Sequence, residues 1–92
     1  MKISVLGAGS WGTTLAILLH HNGHEVTLWE HKRHYAKVLS RTRENKILLP
    51  GIKIPKEITI TYSLEESCTN QHMIVLAVPS QFIRSVLHNM KR

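Results

Sequence analysis

The sequence predicts an α/β fold built on a parallel sheet, and three observations carry that expectation. The apolar run Ile3–Leu6 leads straight into Gly7-Ala8-Gly9-Ser10-Trp11-Gly12, and a helical pattern follows at once. The continuous apolar run Met73-Ile74-Val75-Leu76-Ala77-Val78 has the character of a strand buried on both faces. Between these two runs, short β-branched or apolar stretches alternate with stretches of helical spacing, the pattern that places helices against a parallel sheet.

Ile3 to Leu6 is short, apolar and closed by glycine, which suits a central strand. Ser10 to His21 reads as helix, with Trp11, Leu15, Leu18 and Leu19 at i, i+4, i+7 and i+8 on one apolar face. Asn22-Gly23 stops it, Gly23 being suited to a left-handed cap. Glu25 to Trp29 is the second strand, so strand, helix and strand form a βαβ unit with a right-handed crossover. A polar helix is expected from Lys32 to about Arg43, with Tyr35, Val38 and Leu39 inward. Pro50 and Pro55 bracket Gly51-Ile52-Lys53-Ile54, which predicts an irregular loop, because proline disrupts ladders and helices alike. Ile58-Thr59-Ile60-Thr61-Tyr62 alternates and is β-branched, a third strand. Ser63 and Glu66 fit a capping box that opens a short helix. Met73–Val78 is the fourth strand, ended by Pro79, and Ser80 is placed to cap a last helix with Phe82, Ile83, Val86 and Leu87 inward. The sum is β-α-β-α-β-α-β-α, a Rossmann-like parallel sheet in strand order 3-2-1-4.

Length and charge bound what this fold can be. The chain has 92 residues. A complete fold of two βαβαβ halves needs on the order of 150 residues. The last residues, Ser85 to Arg92, still read as helix with no capping glycine. Residues 1–92 are therefore expected to be the N-terminal portion of an incomplete dinucleotide-binding domain, with any substrate domain absent from this chain. The formal net charge is +6 and the pI about 9.9. The basic residues are dispersed and lack the aromatic interleaving of single-strand binders, which argues for a solvated surface with a phosphate-binding rim and against nucleic acid. Cys68 is the single cysteine, so an internal disulfide and a cysteine metal cluster are excluded. No apolar run approaches the roughly 18 residues of a membrane span, and Met1 leads directly into a strand with no signal-peptide pattern. A cytoplasmic chain without membrane insertion is expected. The seven histidines read as surface residues, since adjacent His20 and His21 cannot share a helix face and no carboxylate stands at ligand spacing.

The glycine motif carries the chemistry. A lone G-x-G-x-x-G is weak, but here it follows a strand and opens a helix, as binding of a dinucleotide requires. Gly7 permits the tight turn, Gly9 lets backbone approach a diphosphate, and Gly12 lets helix and strand pack closely. The free N–H groups and positive dipole end of the helix then face the phosphates. Glu30 ends the second strand, eighteen positions after Gly12, near the spacing of about 20 at which an acid accepts hydrogen bonds from the ribose of NAD. His31, Lys32 and Arg33 follow it and are the residue types that hold the 2′-phosphate of NADP. The residues thus point to NAD or NADP, with the acid favouring NAD.

The stretch Gly7-Ala8-Gly9-Ser10-Trp11-Gly12-Thr13-Thr14-Leu15-Ala16 resembles the opening of bacterial NAD(P)-dependent glycerol-3-phosphate dehydrogenase. So do Asn22-Gly23-His24-Glu25-Val26-Thr27-Leu28-Trp29, then Glu44-Asn45, Leu48-Leu49-Pro50-Gly51 and Ala77-Val78-Pro79-Ser80-Gln81. The resemblance covers nearly the whole chain in order. It implies an N-terminal dinucleotide-binding domain followed by a helical substrate domain, with Ser10, Trp11, His31 and Lys32 lining the cofactor site. It implies hydride transfer between NAD(P)H and dihydroxyacetone phosphate, a small phosphorylated substrate, giving sn-glycerol 3-phosphate for phospholipid synthesis. The family often has a small residue where Glu30 stands and arginine at His31, so the departure leaves the NADP preference open. The family's general acid–base lysine lies beyond Arg92, and no catalytic residue is assigned in this chain, which is expected to be inactive alone. A homodimer of the full-length protein stays open. Two alternatives remain: another NAD(P)-dependent dehydrogenase with the same N-terminal unit, and a non-catalytic NAD-binding module.

Overall fold

In the computed structural model, residues 1–78 and 80–90 are described. Four strands form one parallel sheet: β1 (Lys2–Leu6), β2 (Glu25–Trp29), β5 (Thr59–Thr61) and β6 (Met73–Leu76), in spatial order β5-β2-β1-β6. Counting the parallel strands alone, this is the order 3-2-1-4 expected from the sequence. The helices are α1 (Ser10–His21), α2 (Arg33–Thr42), α3 (Leu64–Cys68) and α4 (Ser80–Met90). A separate two-stranded antiparallel ladder, β3 (Glu44–Asn45) and β4 (Leu49–Lys53), follows α2.

The alternation of β1 and β2 divides the core in two. Val5, Val26 and Leu28 meet Ala16, Leu39, Ile54 and Ile58 on the side of α1 and α2. Leu6 and Trp29 meet Val86, Leu64 and Met90 on the side of α3 and α4. Both faces of the central strands are thus covered, which fits the apolar run of β1. Strand β6 lies at one edge of this sheet and β5 at the other, and in β6 Met73 is exposed while Ile74, Val75 and Leu76 are half-buried.

Several elements form for the expected reasons. The Glu66 N–H donates to Ser63 Oγ at 3.1 Å, the first half of the capping box. The Ser63 N–H donates instead to Thr61 Oγ1 at 3.0 Å, so the last residue of β5 takes the part assigned to the glutamate side chain. Helix α1 ends at Asn22, and Gly23, at φ 90°, donates to the His20 carbonyl. Strand stop Pro79, the proposed Ser80 side-chain cap, and Lys91 and Arg92 lie outside the described residues.

Four expectations are corrected. Gly51 to Lys53, expected as irregular loop, belong with Pro50 to β4, and only Ile54 of that stretch lies beyond it. Five residues of β4 oppose two of β3, and the register shifts between Glu44 and Asn45. Such a bulged edge accepts a proline because no ladder donor is demanded at every position. Of the inner face expected for α1, Leu19 packs partly buried against the core, but Trp11 and Leu18 do not. Gly12, Thr13 and Ala16 are buried, whereas Trp11 is 65 % and Leu18 56 % exposed. Close helix–sheet approach selects small residues, which a count of large apolar side chains passes over. In α4, Val86 is buried, but Phe82 and Leu87 are exposed. Arg43, read with the solvated charges, is structural. At φ 57° it ends α2, its guanidinium donates to the carbonyls of Pro55 and Ile58, and its own carbonyl accepts from the Ile54 N–H at 2.7 Å. Those contacts over-determine a left-handed conformation that costs a non-glycine residue about 1–2 kcal/mol.

Candidate functional site

The glycine turn rises from the centre of the sheet, between the ends of β2 and β6. The Gly7 N–H donates to the Trp29 carbonyl at 2.9 Å, and the Ala77 N–H donates to the Leu6 carbonyl at 2.8 Å. Gly7 has φ 125°, and a β-carbon there would stand 2.7 Å from the Ala77 carbonyl oxygen. A β-carbon on Gly12 would run into the Gly7 carbonyl oxygen. These two positions therefore exclude any side chain, by conformation and contact at Gly7 and by contact at Gly12. Gly9 differs: nothing lies within 4 Å of the place a β-carbon would take. The backbone at Gly9 faces open space, as close approach of a ligand needs.

Helix α1 begins at this turn without a side-chain cap and without an acidic residue in its first turn. Its first N–H groups have no intrahelical partner. The helix dipole adds positive potential at the same place, so the arrangement suits an anion. Ser10 and Trp11, both exposed, border it.

At the end of β2, Glu30 is 8 % exposed, and its main chain is held to β5 by the Glu30 N–H donating to the Thr61 carbonyl. Its Oε1 accepts from the Lys32 N–H at 3.3 Å and lies 3.1 Å from His31 Nδ1. The carboxylate is therefore turned into the β2–α2 turn rather than outward. The neighbouring bases separate. The Arg33 guanidinium sits over the Tyr62 ring, 5.1 Å from its centre, and Lys32 is exposed with no ion pair among the described residues. The His31 ring lies 6.1 Å from the Trp29 ring and 6.5 Å from the Phe82 ring, centre to centre. Phe82, assigned to the core from helical spacing, instead flanks the site beside His31. No signal in the sequence separates these two roles, because a strand end and a helix start meet there only through the fold.

The eight residues expected to line the site, Gly7, Gly9, Ser10, Trp11, Gly12, Glu30, His31 and Lys32, fall on the turns that follow β1 and β2 and on the first residues of α1. These turns are neighbours at the same end of adjacent parallel strands. Ligands of open parallel sheets bind in the crevice at that carboxyl end. No group of three or more possible metal ligands occurs among the described residues, and no described helix is long and apolar enough to cross a membrane.

Comparison with known proteins bears on the same region. The model of the NAD-dependent glycerol-3-phosphate dehydrogenase N-terminus matches residues 2–92. The chain belongs to this family. A glycerol-3-phosphate dehydrogenase [NAD(P)+] from Fusobacterium nucleatum is 48 % identical over 91 residues, which cover 99 % of this chain and 27 % of that protein. One from Prosthecochloris aestuarii is 48 % identical over 87 residues, 95 % of this chain and 26 % of the relative. The crystal structure of glycerol-3-phosphate dehydrogenase from Coxiella burnetii superposes with a TM-score of 0.90 at 33 % identity, covering 98 % of this chain and 28 % of that one. The chain thus spans about a quarter of the length of these relatives.

Proposed function

We propose that this chain holds NAD(P)H as the N-terminal, cofactor-binding part of a glycerol-3-phosphate dehydrogenase. The observation that carries the proposal is the pair of turns at the ends of β1 and β2. One offers uncapped N–H groups beside an open glycine, and the other offers a carboxylate at the same end of the adjacent strand. The α1 N-terminus and Gly9 receive the diphosphate, with Ser10 and Trp11 at its border. Glu30, His31 and Lys32 receive the adenosine ribose. A bound reduced nicotinamide supplies the hydride for reduction of a small phosphorylated ketone, dihydroxyacetone phosphate, to sn-glycerol 3-phosphate. The chain's own part is to bind and orient. The residues that grip the substrate belong to a substrate domain outside these 92 residues, so the chain alone binds cofactor without turnover.

The inward Glu30 carboxylate keeps negative charge where a 2′-phosphate would sit, which favours NADH. His31 and the Lys32 N–H already engage one of its oxygens, so the discrimination is modest. A tryptophan-fluorescence titration tests both points, since Trp11 borders the diphosphate turn and Trp29 adjoins His31. Saturable quenching, tighter for NADH than for NADPH by about threefold to tenfold, is the expected result. A folded chain that responds to neither nucleotide would overturn the proposal.

A further inference from the structure

Behind the glycine turn lies a side chain that sees no solvent. Asn45, in β3, is fully buried. Its Nδ2 donates to the Ala8 carbonyl at 2.8 Å and to Thr13 Oγ1 at 3.2 Å. Its Oδ1 accepts from the Tyr35 hydroxyl and, at 3.4 Å, from the Leu48 N–H. An amide side chain has two donor hydrogens and two acceptor lone pairs, and all four are used. The partners also fix which way the amide faces. The Ala8 carbonyl can only accept and the Leu48 N–H can only donate. Four segments converge on this one group: the glycine turn, α1, α2 and the β3–β4 connection.

We propose that Asn45 is a positioning residue for the diphosphate cradle. The reasoning rests on the cofactor reading above and on peptide geometry. In a trans peptide the carbonyl and the following N–H point in opposite directions, and no cis bond occurs among the described residues. Holding the Ala8 carbonyl on the Asn45 side therefore turns the Gly9 N–H to the opposite side, away from the buried amide. Without Asn45, the Ala8 carbonyl would be a buried acceptor in search of a partner, and rotation of the Ala8–Gly9 peptide would satisfy it at the cost of aiming a carbonyl at the phosphates. Tyr35 holds Asn45 in turn. Burial, and secondarily the charge of Glu30, push the Tyr35 phenol above its ordinary range, so it remains a donor.

Asn45→Asp tests this with almost no change of volume, by replacing the donor that faces Ala8 with an oxygen. Asn45→Leu does so without adding charge. In variants shown to be folded by circular dichroism, NADH affinity falls by about tenfold, the scale of one well-placed hydrogen bond to an anion. Affinity for adenosine, measured by NMR titration, stays within about twofold, because adenosine has no diphosphate. The Gly9 amide resonance of the unliganded chain shifts as well. Equal losses for NADH and adenosine, or unchanged NADH affinity, would overturn the positioning role while leaving the cofactor site intact. Failure of the folded wild-type chain to bind NADH or NADPH overturns both. If neither Asn45 variant folds, Tyr35→Phe, which removes one support of Asn45, weakens NADH by about threefold and moves the Gly9 resonance. No change in either would overturn the role.

Discussion

The two turns that form the site are built by opposite means. After β1, backbone makes the site: Gly7 and Gly12 exclude side chains so that a bend and a helix end fit together, and Gly9 is left open. After β2, side chains make it: the Glu30 carboxylate folds back on His31 and the Lys32 N–H. Backbone construction is specific in space and indifferent to which nucleotide arrives, since every dinucleotide carries the same diphosphate. Side-chain construction is adjustable, and in the function proposed above it is where NAD and NADP would be told apart. The glycine turn is accordingly expected to be costly to alter at Gly7 and Gly12, and the β2–α2 turn to tolerate exchange.

The sharpest way to break this contrast is inside the glycine motif. Gly12→Ala forces a β-carbon into the Gly7 carbonyl and is expected to destabilise the chain by about 3 kcal/mol in urea unfolding. Gly9→Ala meets no neighbour and, with φ −73°, no conformational strain, so stability changes by less than about 1 kcal/mol. Its NADH affinity still falls by about tenfold, because the methyl group occupies the path of the diphosphate. Equal stability losses at the two positions would refute a division between a packing glycine and an approach glycine.

At the other turn, Glu30→Gln keeps the shape and removes the charge. NADPH affinity is expected to rise by roughly fivefold relative to NADH, a modest shift because the carboxylate is already paired. Parallel fluorescence titrations measure the ratio, and an unchanged ratio would move selection away from Glu30.

Tyr35→Phe gives the smallest effect. At neutral pH it costs about 1 kcal/mol through the lost bond to Asn45. In the folded chain burial, then Glu30, hold the phenol above its ordinary 10.0, so the unfolded chain releases this proton first. The stability owed to Tyr35 is complete below pH 10.0 and falls as pH rises from there toward the folded value. Wild type and variant should therefore converge above pH 10.0 in unfolding measured against pH. A constant difference would show that Tyr35 ionises alike in both states.

What was legible in the sequence follows the same division. The four parallel strands, their order and the glycine turn could be read, because buried strands need continuous apolar runs and the turn admits glycine alone. Resemblance located Glu44-Asn45 and Leu48-Leu49-Pro50-Gly51 without a physical role for either. The role of Asn45 depends on partners 10, 32 and 37 positions away, which local periodicity does not encode. Pro50 misdirected the reading of β4, since a bulge removes the donor requirement that makes proline a breaker. The inner face of α1 was partly misplaced because tight packing against the sheet favours Gly12, Thr13 and Ala16, residues that contribute little to an apolar count. Phe82 fits helical spacing equally well in a core or beside His31.

The packing of Gly7 against Ala77 has a consequence for the order in which a ribosome delivers this chain. Strand β1 lies between β2 and β6, and the β1–β6 edge begins with Lys2 bonded to His72, 70 positions on. The residues of the first βαβ unit precede β6 in the chain, so its glycine turn at first lacks the strand end that packs against Gly7. Long-range pairing of this kind is slow to form. Until Ala77 arrives, a nascent chain holds the glycine motif but not the neighbour that Gly7 packs against.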